Sequence, residues 1–489
     1  MNRYSFWFYL YLTSSFILTQ ADELKTEVTE KKRLHIEIVN TIIEVSKTPS
    51  HAYAIITDTP SSFPYIRTGD SLNIVVTNKT QIPTSLHWHG LILPWREDGT
   101  PYVSQAPIPP GGSYNYTFPM HQLGTFYAHA QYGLEQQKLM SQPLILRSDQ
   151  EETLYKDIIV LFEDFTFQSI DQVWQTLKQS PMNKITNVNK SLPPFYSYGT
   201  TQPPIRWNDI IFDAYLTNRK TWDNPDRHPV ESSQQICLRL INGSTASHFL
   251  IQLGHLQGKI IAVDGNPIIP IIVRELPLTI GQRYDVLITI PEQDEDFPIV
   301  AQAIGTNKTT GLILTKRKDP IELLPIPLPD RTIGMTNELE KLLHPLETLT
   351  PKKIDRHLIV ELEGDLDEYT WSINHHPLLV KQGERVELIF QNKTTAPEPM
   401  HIHGHTFQVV AIDGQSFIGP IRDTVLVMPR QTVTVQFDAN NPGIWPIQSK
   451  AAYHAWAGMA TILQYEGCEP IRFSPFQVKQ YPQIYDASY

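Results

Sequence analysis

Short runs of alternating apolar and polar residues, separated by turns, constrain this chain more than any other feature. Leu72 to Thr77, Ile236 to Ile241, Tyr284 to Ile290, Arg385 to Phe390 and Thr432 to Phe437 each read as a strand with one buried face, because side chains on extended backbone alternate sides. A Gly-plus-polar turn precedes several of them: Thr68-Gly69-Asp70, Gly281-Gln282-Arg283 and Gln382-Gly383-Glu384. That recurrence predicts an all-β chain built from three copies of one sandwich unit. The 39 prolines fit the same turn-rich pattern.

A chain of 489 residues that is 41% hydrophobic can bury a core in each of about three domains. Boundaries are expected where the strand pattern breaks. They give domains at 30–149, 150–319 and 355–465, joined by a Pro-rich linker at 320–354 and followed by a tail at 466–489. Within the linker, Asn337 to Leu343 reads as a short helix. Residues 1–21 read as a secretory signal, with Arg3 ahead of an apolar stretch from Tyr4 to Leu18 and small residues at Thr19-Gln20-Ala21. The stretch is shorter than the roughly 20 apolar residues a membrane span needs. No later segment reads as transmembrane, so the expected location is periplasmic or secreted. Net charge is -11, without clustered Lys and Arg interleaved with aromatics, which argues against nucleic acid as a partner. The two cysteines, Cys237 and Cys468, either pair in that oxidising setting or stay as thiols.

Chemistry is concentrated in the histidines. His87-Trp88-His89-Gly90 and His401-Ile402-His403-Gly404-His405 each hold a His-x-His followed by Gly, and His129 lies in Thr125-Phe126-Tyr127-Ala128-His129-Ala130-Gln131. His-x-His on a strand sets two imidazoles on one side, about 7 Å apart. Such a pair serves two neighbouring ions better than it chelates one. Imidazole suits copper, zinc, nickel and iron alike, so the ligand type does not select the metal.

The surrounding residues are more specific. His87-Trp88-His89-Gly90-Leu91 running to Pro94 and Asp98-Gly99, then Ala106-Pro107-Ile108-Pro109-Pro110-Gly111-Gly112, closely resembles the first domain of multicopper oxidases, above all the bacterial copper-resistance branch. Met400 to His405 is similar to that family's third-domain motif. Asn242-Gly243, Ala262-Val263-Asp264-Gly265 and Gly281 to Val286 resemble its middle domain. The resemblance spans about residues 30 to 465 and implies three cupredoxin-like Greek-key β-sandwich domains, with a trinuclear copper cluster between the first and third.

Carried over by position, the resemblance makes His87 and His401 ligands of the type 2 copper. His89 and His129 match ligands of one type 3 copper, with Lys450 where its third histidine belongs. His403 serves the other, with Gln131 and Gln448 in place of its partners. Five of eight ligands remain. Asp98 matches the family's acid near the type 2 copper, able to deliver a proton there. At the mononuclear blue site the family expects His, Cys, His and Met, whereas this chain has Glu398, Ser449, His454 and Met459. A serine hydroxyl cannot replace the thiolate that takes an electron from substrate, so four-copper, laccase-type turnover is not expected. His405 is read as packing, and His375-His376 as a surface turn. Asn78, Asn115, Asn189, Asn242, Asn307 and Asn392 begin N-x-Ser/Thr sequons, which matter only in a eukaryotic secretory pathway.

Two functions remain open. One is a copper protein holding one or two ions on His87, His89, His129, His401 and His403, acting as a non-blue oxidoreductase or copper-handling factor with a small-molecule reductant or envelope protein as partner. The other is a metal-free cupredoxin scaffold of the cell envelope, its histidines kept for packing.

Overall fold

The computed structural model describes residues 31–57, 65–67, 69, 71–147, 154–179, 205–293, 295–317, 334–373 and 377–472. The expected signal segment, most of the tail and His375-His376 lie outside these residues.

Six sheets form three pairs. The first pair sets Thr48–Thr57, Lys31–Val45, Ser71–Asn78 and Ser113–Pro119 against Tyr65–Arg67, Ser141–Arg147, Gly124–Ala130 and Leu86–His89. The second draws on strands between Lys156–Phe165 and Thr309–Thr315, and the third on strands between Arg356–Asp365 and Ala460–Tyr465. Each pair carries the same parallel element in a mostly antiparallel arrangement. Its opening strand runs parallel to its neighbour: Lys31–Val45 beside Ser71–Asn78, Lys156–Phe165 beside Gln235–Asn242, and Arg356–Asp365 beside Arg385–Asn392. The repeat that is weak in the sequence is therefore explicit in the pairing. The three turn glycines agree, with Gly69, Gly281 and Gly383 all at positive φ between 83° and 89°.

The predicted strands lie where the alternation placed them. Along Thr432–Asp438, Val433, Val435 and Phe437 are fully buried while the residues between them are partly exposed. Each such apolar side chain contributes about 1.5–3 kcal/mol when withdrawn from water.

Three sequons have a different meaning in the fold. Asn78, Asn242 and Asn392 are buried at strand ends, and each donates two Nδ2 hydrogen bonds to backbone carbonyls. Their Oδ1 atoms accept the amides of Thr80, Ser244 and Thr394. The N-x-Ser/Thr spacing here belongs to a recurring Asx corner, closed to a glycan.

The described part of the expected linker is docked on its neighbours. Its short helix is a 3-10 turn at Glu338–Lys341, where Glu340 accepts from Arg422 Nε at 2.8 Å. Leu343 is fully buried, and His344 O accepts from Ile269 N. No disulfide joins Cys237 and Cys468. No helix among the described residues is long and apolar enough to cross a membrane.

Candidate metal centre

The strands that carry the histidines lose the alternating burial seen elsewhere. Leu86–His89, Gly124–Ala130 and Glu398–Ile402 are buried at every position. One face of each belongs to its own sandwich core, where Leu86, Trp88, Met400 and Ile402 pack. The other face is covered by the opposite sandwich, and it presents the histidines. His87 pairs in register with His129, and His401 with Gln448, so two strand pairs meet face to face.

All five predicted ligands come together. His87 lies 5.8 Å from His89, 5.3 Å from His129 and 5.7 Å from His401, ring centre to ring centre. It stacks on His403 at 3.8 Å, and His89 stacks on His401 at 3.9 Å. Coordinating atoms of His87, His401 and His403 lie within 4.8 Å of one another, as do those of His87, His89 and His129, and of His89, His401 and Asp423.

Each ring has one nitrogen fixed by an acceptor. Nδ1 of His87 faces the Asp98 carbonyl at 3.1 Å, Nδ1 of His401 the Asp423 carbonyl at 2.8 Å, and Nδ1 of His129 the Ala130 carbonyl at 2.9 Å. Nδ1 of His403 meets the Asp98 carboxylate at 3.0 Å, and His89 uses Nε2 on the Asp423 carboxylate at 3.1 Å. A carbonyl or carboxylate only accepts, so these nitrogens carry the protons and the opposite ones carry lone pairs. Those lone pairs lie on Nε2 of His87, His401 and His403 and on Nδ1 of His89, all buried without a hydrogen-bond partner. A buried polar atom left this way costs about 1–3 kcal/mol. Hydrogen bonding on one imidazole nitrogen, with the other aimed at a common point, is how metal-binding histidines are held.

Electrostatics agree. Burial pushes His401 down to about 4 and holds His89, His129 and His403 well below the usual imidazole range. Their rings are therefore neutral near pH 7, the state that coordinates a metal. Burial pushes Asp98 upward, but the N–H groups of His403 and His87 outweigh it and keep the carboxyl well below its ordinary value. The donor set and its partnerless nitrogens fit copper at this cluster.

Three residues that orient the cluster went unread in the sequence. Asp423 accepts from His89 through its side chain and from His401 through its backbone, and Thr424 Oγ1 reaches both rings. Arg283, from the middle sandwich, grips Asp423 through two bonds of 2.8 and 2.6 Å and donates Nε to the Thr125 carbonyl, tying all three sandwiches together. The Gly281-Gln282-Arg283 turn was legible as a repeat and as part of the middle-domain resemblance, not as a contact with the histidines. A Cβ at Gly281 would come within 3.0 Å of Lys450 Cγ and 3.2 Å of His89 Cε1, so the turn backbone seals the cluster.

Three family models described as multicopper oxidase match residues 27–151, 158–318 and 340–466. Over 410 residues the chain is 32% identical to multicopper oxidase MmcO of Mycobacterium tuberculosis, covering 81% of this chain and 80% of that one. The chain belongs to the multicopper oxidase family. It is also 22% identical to a copper resistance protein A homolog of Pseudomonas syringae pv. tomato, covering 80% and 85% of the two chains. Among solved multicopper oxidase structures, it superposes on Fet3p, which functions in iron import, with TM-score 0.72 over 92% of this chain and 94% of that one at 18% identity. For the laccase of Botrytis aclada the TM-score is 0.70, over 92% and 90% at 23% identity. These two likenesses establish the fold, and the family is one that uses copper.

A second polar group lies at Glu398, Ser449 and His454. His454, on the short helix Ala452–Trp456, is held on both sides: Nδ1 meets Glu398 Oε1 at 2.9 Å and Nε2 meets Asp209 Oδ2 at 3.0 Å. Ser449 donates to Glu398 Oε2 at 2.7 Å, Tyr369 donates to Asp209, and Trp371 stacks on the ring at 3.6 Å. Burial alone would push His454 down, but the two carboxylates override it and raise it to about 10. The ring is thus a buried imidazolium, with both nitrogens occupied. Asp209 belongs to no motif in the sequence. Met459 is buried in the neighbouring core, and His405, as expected, is packed, with Nδ1 on the His403 carbonyl and Nε2 on the Tyr465 hydroxyl.

Proposed function

We propose that this chain is an exported copper-handling member of the multicopper oxidase family whose copper centre is non-blue. The ions would be held on His87, His401 and His403, with His89 adjacent, at the meeting of the first and third sandwiches. The reading rests on the four buried lone pairs that have no hydrogen-bond partner. Histidines retained for packing alone would leave that cost uncompensated, which speaks against a metal-free scaffold.

The mononuclear blue site is read as lost. At the positions that resemblance assigns to it, Ser449 stands for the thiolate and Glu398 for a histidine, and His454 has no lone pair to offer. Those residues do not fit copper. Export follows from the apolar N-terminal stretch, and the name of the copper resistance protein A homolog agrees with a role in handling copper.

A non-blue oxidoreductase reading is supported by two observations. Asp98 remains as an anion against His403 and His87, placed to pass a proton between carboxylate and imidazole at that corner. A cavity of about 60 Å³, lined by His129, Gln131, Gln448, Lys450, Ala452 and Trp456 among others, reaches the cluster. It suits a molecule of a few atoms, since one water needs about 10–15 Å³ of such space. Copper there would supply one-electron chemistry, while the chain orients the ligands and excludes bulk water.

Metal analysis after copper loading tests the reading. The wild type should retain copper at stoichiometric level through desalting, and His87→Ala with His401→Ala should lose it. Equal, negligible copper in both would restore the scaffold. Oxygen consumption with cuprous, ferrous and phenolic donors separates the two copper roles, since a handling factor gives no turnover.

A further inference from the structure

Lys450 and His129 make a contact that the copper reading does not use. Lys450 Nζ lies 2.9 Å from His129 Nε2, both side chains being buried. His129 Nδ1 faces the Ala130 carbonyl, so Nε2 holds the ring's lone pair, and Lys450 donates an N–H into it. Of the five converging histidines, His129 is the one whose lone pair has a donor. The other four have none.

We propose that Lys450 is an intramolecular stand-in for a metal ion: its amino group occupies the coordination position of His129 and confines the protein to a single copper on the His87, His401 and His403 side of the cluster. The inference rests on the copper-binding reading above and sharpens it to a stoichiometry. An imidazole nitrogen has one lone pair. A metal bonded to it sits about 2.0–2.1 Å away along the direction in which the lysine nitrogen now lies at 2.9 Å, so the two exclude each other. The argument holds for ammonium and amine alike, since both present an N–H.

The surroundings keep the lysine in place. Lys450 N donates to the Pro399 carbonyl at 2.8 Å, and its Cγ lies against Gly281, whose hydrogen leaves room that a side chain would take. Beyond Nζ, Gln131 and Gln448 bond each other at 3.2 Å across the cavity wall. Two further ligand positions are thus occupied by amides that bond each other. His89 keeps its free Nδ1 but has lost His129 as a partner, and its other grouping, with His401 and Asp423, shares His401 with the first ion.

Two variants and two measurements test this. Copper-loaded wild type should carry one ion per chain, with one unpaired spin by electron paramagnetic resonance. Lys450→His should raise the content to two, and Lys450→Met, which keeps the chain length but has no donor, should admit a second ion more weakly. In metal-free, histidine-labelled protein, the 15N shift of His129 Nε2 should move toward that of an unbonded lone pair in Lys450→Met, with His401 unchanged. Two ions in the wild type, or one ion in both variants, would overturn the proposal while leaving copper binding intact. An unmoved His129 shift would overturn it whatever the metal content, and absence of copper from all three proteins would remove the copper-binding reading together with this one. Thermal melting of each variant identifies any loss of fold.

Discussion

The histidine cluster and the Glu398–His454–Asp209 group are both buried beside the inner strands of the third sandwich, yet their polar atoms are treated in opposite ways. In the cluster, protons are pinned to the outer nitrogens and four lone pairs point inward with nothing to meet them. Around His454, both ring nitrogens meet carboxylates and the serine hydroxyl completes the set. One region leaves four lone pairs unmet. The other carries its own cation, a proton. On the proposed reading, the second region is a metal position closed by turning lone pairs into hydrogen-bond donors and supplying the charge from within.

Removing the convergence should have the largest effect. With His87→Ala and His401→Ala, copper retention should fall from stoichiometric to background in metal analysis, and the melting temperature of the metal-free protein should fall as well, since two buried rings and their bonds to the Asp98 and Asp423 carbonyls are lost. Copper retained by the double variant would mean that the converging lone pairs do not hold the ion and that the contrast with the His454 group is wrong.

The next largest effect should come from the closed region. His454 has a folded value of about 10 against an ordinary 6.5, so it is raised on folding. Its contribution is fully present below about pH 6.5 and is lost as pH rises through 10. At about 1.4 kcal/mol per unit the loss is at most about 5 kcal/mol. Denaturant titrations at a series of pH values should show wild-type stability declining across that window. Glu398→Gln should flatten the decline and cost about 3–5 kcal/mol near neutrality, the usual penalty for stranding a buried charge. A flat wild-type profile would show that the ring is not charged and that the contrast between the two regions is wrong.

Asp98 gives a smaller effect and sharpens the comparison. Its carboxylate holds His403 and also reaches His87 Nδ1 at 3.2 Å, which the backbone carbonyl holds as well, so Asp98→Ala should free His403 while His87 keeps its carbonyl partner. Competition titration against a chelator should show copper affinity reduced about 10- to 100-fold, the range for residues that orient a metal-bound histidine.

How much of this was legible depends on where each partner lies in the chain. His87, His89, His401 and His403 announced themselves because His-x-His-Gly is a local pattern that strand geometry turns into a shared face. The alternating runs gave the strands for the same reason, their period being local. Asp423, Thr424 and Arg283 were not legible, since Asp423 meets His89 across 334 positions and sits in an ordinary strand entry. Nothing near Asp209 marks it as the partner of His454, 245 residues on. Lys450 was recognised as a departure from a ligand, but its contact with His129 needed both sandwiches in place. Asn78, Asn242 and Asn392 show the reverse error. Their local pattern was read correctly as a spacing, and its cause, a side-chain turn at a strand end, coincides with the glycosylation motif.

The smallest expected effect is the most discriminating. Ser449→Cys puts a sulfur at the position that the family resemblance assigns to its thiolate, and sequence alone would expect a blue centre there. The structure predicts that it will not. Glu398 would still hold His454 Nδ1, Asp209 would still hold Nε2, and the imidazolium between them has no lone pair to give. Copper-loaded Ser449→Cys should therefore lack the intense visible absorption of a copper thiolate and keep the wild-type copper content. Opening the site requires taking its internal cation apart. Glu398→His with Ser449→Cys removes one carboxylate and supplies both a nitrogen and a sulfur, and an extra copper with that absorption is expected only there. If the single substitution turned blue, His454 would have to surrender its proton readily to a metal, and the closed state of this region would rest on the missing sulfur alone.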